Sequence, residues 1–258
     1  MSATFHKNAA CVFVFLLMLL SCAKVPYTER EQLMMVSDLQ ETKLGETAFE
    51  QIKEKSKISS DPAKNAILRR VGERIAAAVD KPQYQWEFAL IDEDTVNAFA
   101  LPGGKVAFYD GILPICQDEN GIATVMGHEV AHVLARHGAE RLSQEQIVSV
   151  GQMALLAALL GRSPEAQDAM MRAYGLGAQV GVLLPYSRKH ELEADEIGLI
   201  LMAKAGYDPH AAVAFWKRMN EAKKGGGPPE FLSTHPSDEK RIERIESLVP
   251  KAMEYYRK

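Results

Sequence analysis

Three cysteines in 258 residues are too few for a disulfide framework, and no apolar run reaches the roughly 20 residues that a membrane-crossing helix needs. Excess positive charge is lacking too. The chain has 30 Lys and Arg against 34 Asp and Glu, a formal charge of −4, and no basic stripe marks a nucleic-acid partner. These absences exclude a disulfide-stapled fold, a polytopic membrane protein and a nucleic-acid binder. What is present is globular composition, 47% hydrophobic and 25% charged, in a chain long enough for one domain with a core.

The cysteines also speak to compartment. The stretch "MSATFHKNAACVFVFLLMLLSC" has a weakly basic start at His6 and Lys7, then an apolar run from about Ala9 to Leu20. That run has the length of a signal-peptide core. Its end, Leu19-Leu20-Ser21 before Cys22, resembles a bacterial lipobox. The resemblance implies cleavage before Cys22, lipids on that cysteine, and a mature protein held on a membrane surface. Each buried acyl methylene contributes about 0.8 kcal/mol to such an anchor. Ala23 follows the cysteine, which points to the outer membrane and its periplasmic face. Cys11 leaves with residues 1–21, and Cys116, in the apolar run "GILPIC", reads as a small buried hydrophobe.

Beyond Cys22, residues 22–36 read as a short tether. "DLQETKLGETAFEQIKEKSK" looks helical, and "DPAKNAILRRVGERIAAAVD" is a better-marked helix. In the latter, Asp61 caps, Pro62 enters the first turn, and Ile67, Val71, Ile75 and Val79 form one stripe. The period then changes. "YQWEFALID" alternates as a half-buried strand does, and "VNAFALPGGKVAFYDGIL" gives two more strands turning at Pro102-Gly103-Gly104. A small sheet followed by helices predicts an α+β, mostly helical fold. Asp118 caps a helix expected over about Glu119 to Glu140. Two Ala/Gly/Met-rich stretches, "IVSVGQMALLAALLG" and "AYGLGAQVGVLLP", are too short to span and read as buried or lid-forming helices.

The chemistry concentrates in "GHEVAHVLARHGAE". His132 lies about 40° around a helix from His128 and one turn along, so both imidazoles reach one ion from the same side. Glu129, on the adjoining face, is placed to hold a water on that ion. This is the H-E-x-x-H arrangement of two ligands and a general base. Its apolar context, "IATVMGHEVAHVLA", buries it, and unpaired histidines there are costly. His137 lies about 180° away from His128 and reads as a polar helix-end residue near the C-terminal dipole. Metzincin spacing needs glycine at 135 and histidine at 138, but those positions hold Ala135 and Gly138.

A third ligand must come from elsewhere. In "SRKHELEADEIG", Glu191 and Asp195 share one helical face, the first placed for the metal and the second for a histidine ring N–H. Glu193 and Glu196 read as a solvated face, and His190 is a rival nitrogen ligand. Candidates for stabilising an oxyanion are His235 in "STHPSD", Arg188 and Tyr186. His235 either stays a loop residue held by Pro236 or swings to the metal and fills its open position at rest. Arg188 is expected to pair with Asp195 or Glu129.

"GHEVAHVLARH", "YSRKHELEADEIGL", "VNAFALPGGKVAFYDGIL", "AGYDPHAAVAFWKRM" and "FLSTHPSDEKRIERI" together resemble the HtpX/CAAX-prenyl-endopeptidase family of gluzincin metallopeptidases. The likeness is greatest to its periplasmic lipoprotein (LoiP-like) branch and runs from about Val25 to Leu248. It implies a gluzincin-type domain over 37–258 with a small N-terminal sheet packed on the H-E-x-x-H helix. It also implies one Zn2+ on His128, His132 and Glu191, with Glu129 as catalytic acid/base. The implied activity is endopeptidase cleavage of unfolded or misassembled envelope polypeptides; because peptidases commonly bind substrate as an added strand, "VNAFALPGG" is either the edge that receives it or an ordinary core hairpin. No membrane-spanning helices of the prenyl-protease kind are present, and no tetratricopeptide tail follows. The other class weighed is a chaperone-like outer-membrane assembly factor with a structural or latent metal.

Overall fold

The computed structural model describes residues 22–223 and 229–256. The expected signal peptide, residues 1–21, lies outside the described residues. In chain order the first elements are β1 (Cys22–Lys24), β2 (Glu31–Leu33), α1 (Asp38–Lys55), α2 (Pro62–Ala78), β3 (Glu87–Ile91), β4 (Ala98–Leu101) and β5 (Lys105–Tyr109). Then come α3 (Leu113–Cys116), α4 (Glu119–Leu134), α5 (His137–Ala158), α6 (Pro164–Ala178), α7 (Leu184–Lys204), α8 (His210–Ala222), α9 (Glu230–Thr234) and α10 (Glu239–Met253). The α+β, mostly helical class expected from the pattern is what forms. These elements make two compact units, divided at Ser37/Asp38, Ala135/Arg136 and Ser187/Arg188.

The larger unit, residues 38–135 and 188–256, holds the three-stranded sheet. Strand order is β3-β5-β4, with β3 parallel and β4 antiparallel to β5. Gly103 and Gly104 turn the β4–β5 hairpin at φ +88° and +87°, values that only glycine adopts at little cost. Helix α1 covers one face, where Phe49 packs on Ala89, Ile91 and Ala107. Helix α2 covers the other, with Gly72 directly over the Phe88 ring. Burial on both faces explains why Ala89, Leu90 and Ile91 are all inside, although the alternating pattern predicts a half-buried strand. Asp61 caps α2 as expected, its Oδ1 accepting from the N–H groups of Ala63 (2.9 Å) and Lys64 (3.1 Å). The buried stripe is Leu68, Val71, Gly72 and Ile75, with Ile67 at its half-buried margin.

Helix α4 is capped by Asp118, whose Oδ1 accepts from Gly121 N–H at 2.9 Å. It ends at Leu134, short of the expected Glu140. Arg136 turns into the left-handed region (φ 56°, ψ 36°), and α5 restarts at His137. That conformation costs an L-residue about 1–2 kcal/mol. Arg136 Nη2 donating to Val36 O at 2.8 Å offsets it. His137 therefore opens a helix rather than closing one, and it is buried.

In the smaller unit, the stretch read as a tether is a β1–β2 hairpin with Ala23 opposite Gln32. It is fastened to α5 by Arg30, whose two Nη atoms donate to the buried Glu140 carboxylate at 2.9 and 2.7 Å. Only the first turns of α5 are buried. Beyond them, and along α6, apolar side chains stand in solvent, so of the buried or lid-forming helices expected there the buried form is not what is seen.

One close approach inside the larger unit positions everything that follows. A Cβ on Gly127 of α4 lies 2.8 Å from Gly198 O, and a Cβ on Gly198 of α7 lies 2.9 Å from His128 N. Both neighbours are backbone, so neither yields without parting the helices. Gly198→Ala is expected to destabilise by about 1–3 kcal/mol in denaturant unfolding and to weaken metal binding. Gly175→Ala, where nothing lies within 4 Å, stays neutral or gains about 0.5–1 kcal/mol. Equal behaviour of the two variants would contradict a backbone-to-backbone crossing.

Candidate metal centre

The crossing sets two helices into register. His128 and His132 project from α4, and Glu191 and Asp195 from α7. His132 Nε2 lies 3.4 Å from Glu191 Oε1, and His128 Nε2 lies 3.4 Å from Glu191 Oε2. The two Nε2 atoms are 3.2 Å apart. His235, following α9, completes the group, with its Nδ1 3.1 Å from His128 Nε2 and 2.9 Å from Glu191 Oε2. Ligand atoms of all four residues lie within 4.8 Å of one another.

Two tests show that this group fits a divalent cation. The first is geometric. A tetrahedral site with bonds of about 2.0–2.1 Å has edges of roughly 3.3–3.4 Å, and most of the donor separations fall close to that. Three imidazole nitrogens facing each other at this range have too few protons to satisfy one another, whereas a cation satisfies all of them. The second is charge. The buried carboxylates of Glu129, Glu191 and Asp195 face one buried guanidinium, Arg241, which leaves two negative charges to neutralise.

The protonation equilibria of the metal-free site agree. Burial pushes the His128 pKa down, but Asp195 and Glu191 outweigh it and raise the pKa to about 9. Burial pushes the Glu191 carboxyl up, but hydrogen bonds from His128, His132 and His235 hold it far below the usual carboxylate range. A proton on His128 thus satisfies the same acids as a metal, and the two compete for one place. Asp195, against burial, is held at about 2 by Arg241 and by its contact with His128. Glu129 is fully inside, and burial raises its pKa.

The supporting contacts extend outward. Asp195 Oδ1 lies 3.0 Å from His128 Nδ1. Its partner on the other side is Arg241, not Arg188. Arg241 Nε and Nη2 donate to the two Asp195 oxygens, each at 2.8 Å, and its guanidinium stacks 3.9 Å from the Trp216 ring centroid. Arg188 is exposed, two helical turns before Asp195, or about 10 Å along the axis. Tyr186 is also exposed. His190 is buried outside the cluster, and Glu193, expected on a solvated face, is buried as well. Glu196 is partly exposed and pairs with Lys251.

Arg241 escaped the sequence reading, although a signal existed. It lies at the head of the 241/245/249/252 stripe of α10, whose other members are apolar. A charged residue on a core stripe requires a buried counter-charge.

Glu129 faces the sheet edge. The Ala100 backbone on β4, an outer strand, offsets part of the rise that burial gives its pKa, and its Oε1 lies 3.3 Å from His235 Nε2. The segment leading to His235 runs against the residues just before that strand. Phe231 N–H donates to Val96 O at 3.0 Å, and Asn97 Nδ2 donates to Glu230 Oε1 at 3.2 Å. Cys116 is wholly buried, and burial pushes its thiol pKa up, so it is packing and not a nucleophile.

Residues 62–249 match Peptidase family M48. The chain belongs to that family, and with it to the metalloendopeptidases. It is similar to the mitochondrial metalloendopeptidase OMA1 of Schizosaccharomyces pombe, with 39% identity over 232 residues, 88% of this chain and 66% of that protein. The Saccharomyces cerevisiae protein of the same name is 32% identical over 253 residues, 90% of this chain and 70% of its own. The beta-barrel assembly-enhancing protease of Escherichia coli is 29% identical over 208 residues, 79% of this chain and 42% of its own. The chain thus spans about two thirds of the fungal relatives and less than half of the bacterial one.

Removing the Arg241 charge strands a buried carboxylate. Arg241→Met is expected to cost about 3–5 kcal/mol, and Arg241→Met combined with Asp195→Asn to recover part of it. Urea unfolding with and without metal checks this. A single variant within 1 kcal/mol of wild type would mean that the pair carries no such weight.

Proposed function

We propose that this family member is a zinc-dependent endopeptidase of the bacterial envelope, lipid-anchored through Cys22, that cleaves unfolded or misassembled polypeptides. The observation that carries the reading is the convergence of His128, His132 and Glu191 beside the buried Glu129 carboxylate. Two nitrogens and a carboxylate are the ligand set of a catalytic zinc site. When bound, zinc supplies Lewis acidity that polarises a peptide carbonyl and makes water acidic near neutral pH. The chain's own residues do the rest. Asp195 and Arg241 orient the His128 ring. Glu129, buried against β4, takes a proton from the attacking water and returns it to the leaving amine. The outer edge of β4 offers backbone groups to an extended substrate as an added strand.

His235 gives this site a resting form. Its Nδ1 completes the donor set, and α9 packs on Val96 and Asn97, the residues that lead into β4. Cleavage then requires His235 to withdraw, and it follows the "GGGPP" segment at 225–229. The lipobox-like "LLSC" supports the envelope assignment and the lipoprotein branch. The Escherichia coli relative is named a beta-barrel assembly-enhancing protease, which supports a proteolytic role tied to protein assembly. The alternative, an assembly factor with a latent metal, draws on this same closed arrangement.

One assay on the full chain separates the readings: bound zinc and casein degradation by wild type, Glu129→Gln and His235→Ala. All three are expected to hold one zinc. Glu129→Gln loses at least about 100-fold in cleavage, and His235→Ala cleaves faster than wild type. Equal degradation by wild type and Glu129→Gln removes the enzyme reading, and slower cleavage by His235→Ala removes the resting form.

A further inference from the structure

The smaller unit exposes apolar side chains that its own packing does not use. Val150 is 59% exposed, Met153 63%, Leu156 48% and Leu160 76% along the far half of α5 and just beyond it, with Leu176 67% and Val180 56% on and after α6. The helices are tied to each other, not to a cover. Tyr174 Oη donates to Val148 O at 2.8 Å, and the Tyr174 ring packs over Gly151. Residues 146–161 and 173–187 contain no Asp, Glu, Lys or Arg. An exposed apolar surface of this kind marks an interaction site.

We propose that this helical hairpin is a lipid-docking surface that lies in the plane of the membrane–water interface. Three observations select lipid over a protein partner. First, the chain enters this unit from an apolar segment. Residues 9–20 are apolar and the described structure begins at Cys22, the first residue of β1, in the same compact unit as α5 and α6. Retained leader or acyl chains on Cys22 alike place a bilayer at this unit, and the tether raises the effective concentration of lipid at its surface. Second, Val150, Met153 and Leu156 spread over about 120° of α5, with Leu160 just beyond its end, a face broad enough to lie on an apolar medium and wider than the a/d seam of a coiled coil. Third, the hairpin cannot span. Among the described residues no helix is long and apolar enough to cross a membrane, and Arg162, Glu165, Asp168 and Arg172 crowd the connection and the first turns of α6. Flat seating keeps those charges at the headgroups while the apolar side chains enter the acyl boundary.

The proposal rests on the Cys22 anchor, and its test separates the two. Full-length chains carrying Met153→Cys, Leu176→Cys or, as reference, Lys240→Cys are labelled with nitrobenzoxadiazole, the parent chain serving as blank. They are then reconstituted on vesicles of phosphatidylethanolamine and phosphatidylglycerol with or without acyl-chain nitroxides. Docking predicts blue-shifted emission at 153 and 176, quenched several-fold more than at 240. Chains that float with the vesicles yet keep water-like emission at 153 and 176 retain the anchor and overturn the docking surface. A blue shift without nitroxide quenching overturns it in favour of a protein cover, a second copy or a client. Chains that do not float overturn both.

Discussion

The contact between Gly127 and Gly198 is the constraint from which the site follows. From it the two helices pair outward, residue against residue. Asp195, three before Gly198, meets His128, one after Gly127. Glu191, seven before, meets His132, five after. Such a ladder requires antiparallel helices whose backbones nearly touch, since any larger side chain at either glycine pushes on main chain. The H-E-x-x-H spacing aims two imidazoles to one side of α4, but only the crossing delivers the carboxylate to within 3.4 Å of them.

Close packing would fail on electrostatic grounds without Arg241. Three carboxylates and three imidazoles crowd a largely buried volume, and the cost of burying such charge is met only by pairing it. Arg241 does this from three directions at once. It donates to both Asp195 oxygens, lies 3.3 Å from Glu191 Oε2, and donates to Pro236 O, which fixes the turn carrying His235. Trp216 covers its guanidinium and packs edge-on to the His128 ring. His128, His132, Glu191, Asp195 and the turn carrying His235 therefore form one network.

Much of this was legible in the sequence because helical periodicity carries direction. His128, His132, Glu191 and Asp195 could be assigned to facing sides from spacing alone. What escaped reading depends on tertiary context. The break at Arg136 has no proline or glycine to announce it, and a backbone bond to Val36 holds it. The segments after Gln146 look like core because they are apolar, yet apolarity does not say whether the partner is protein or solvent-facing lipid. Arg188 is visible as a candidate and Arg241 is not, because nearness along the chain can be read and nearness across a fold cannot.

The claim beneath all of this is that His128, His132, Glu191 and His235 share one cation. X-ray absorption at the zinc edge of the loaded full-length chain tests it directly. The account predicts four nitrogen or oxygen scatterers at about 2.0–2.1 Å, three showing the outer-shell pattern of imidazole and none of sulfur. A sulfur scatterer, or a shell of waters without imidazole, would contradict it.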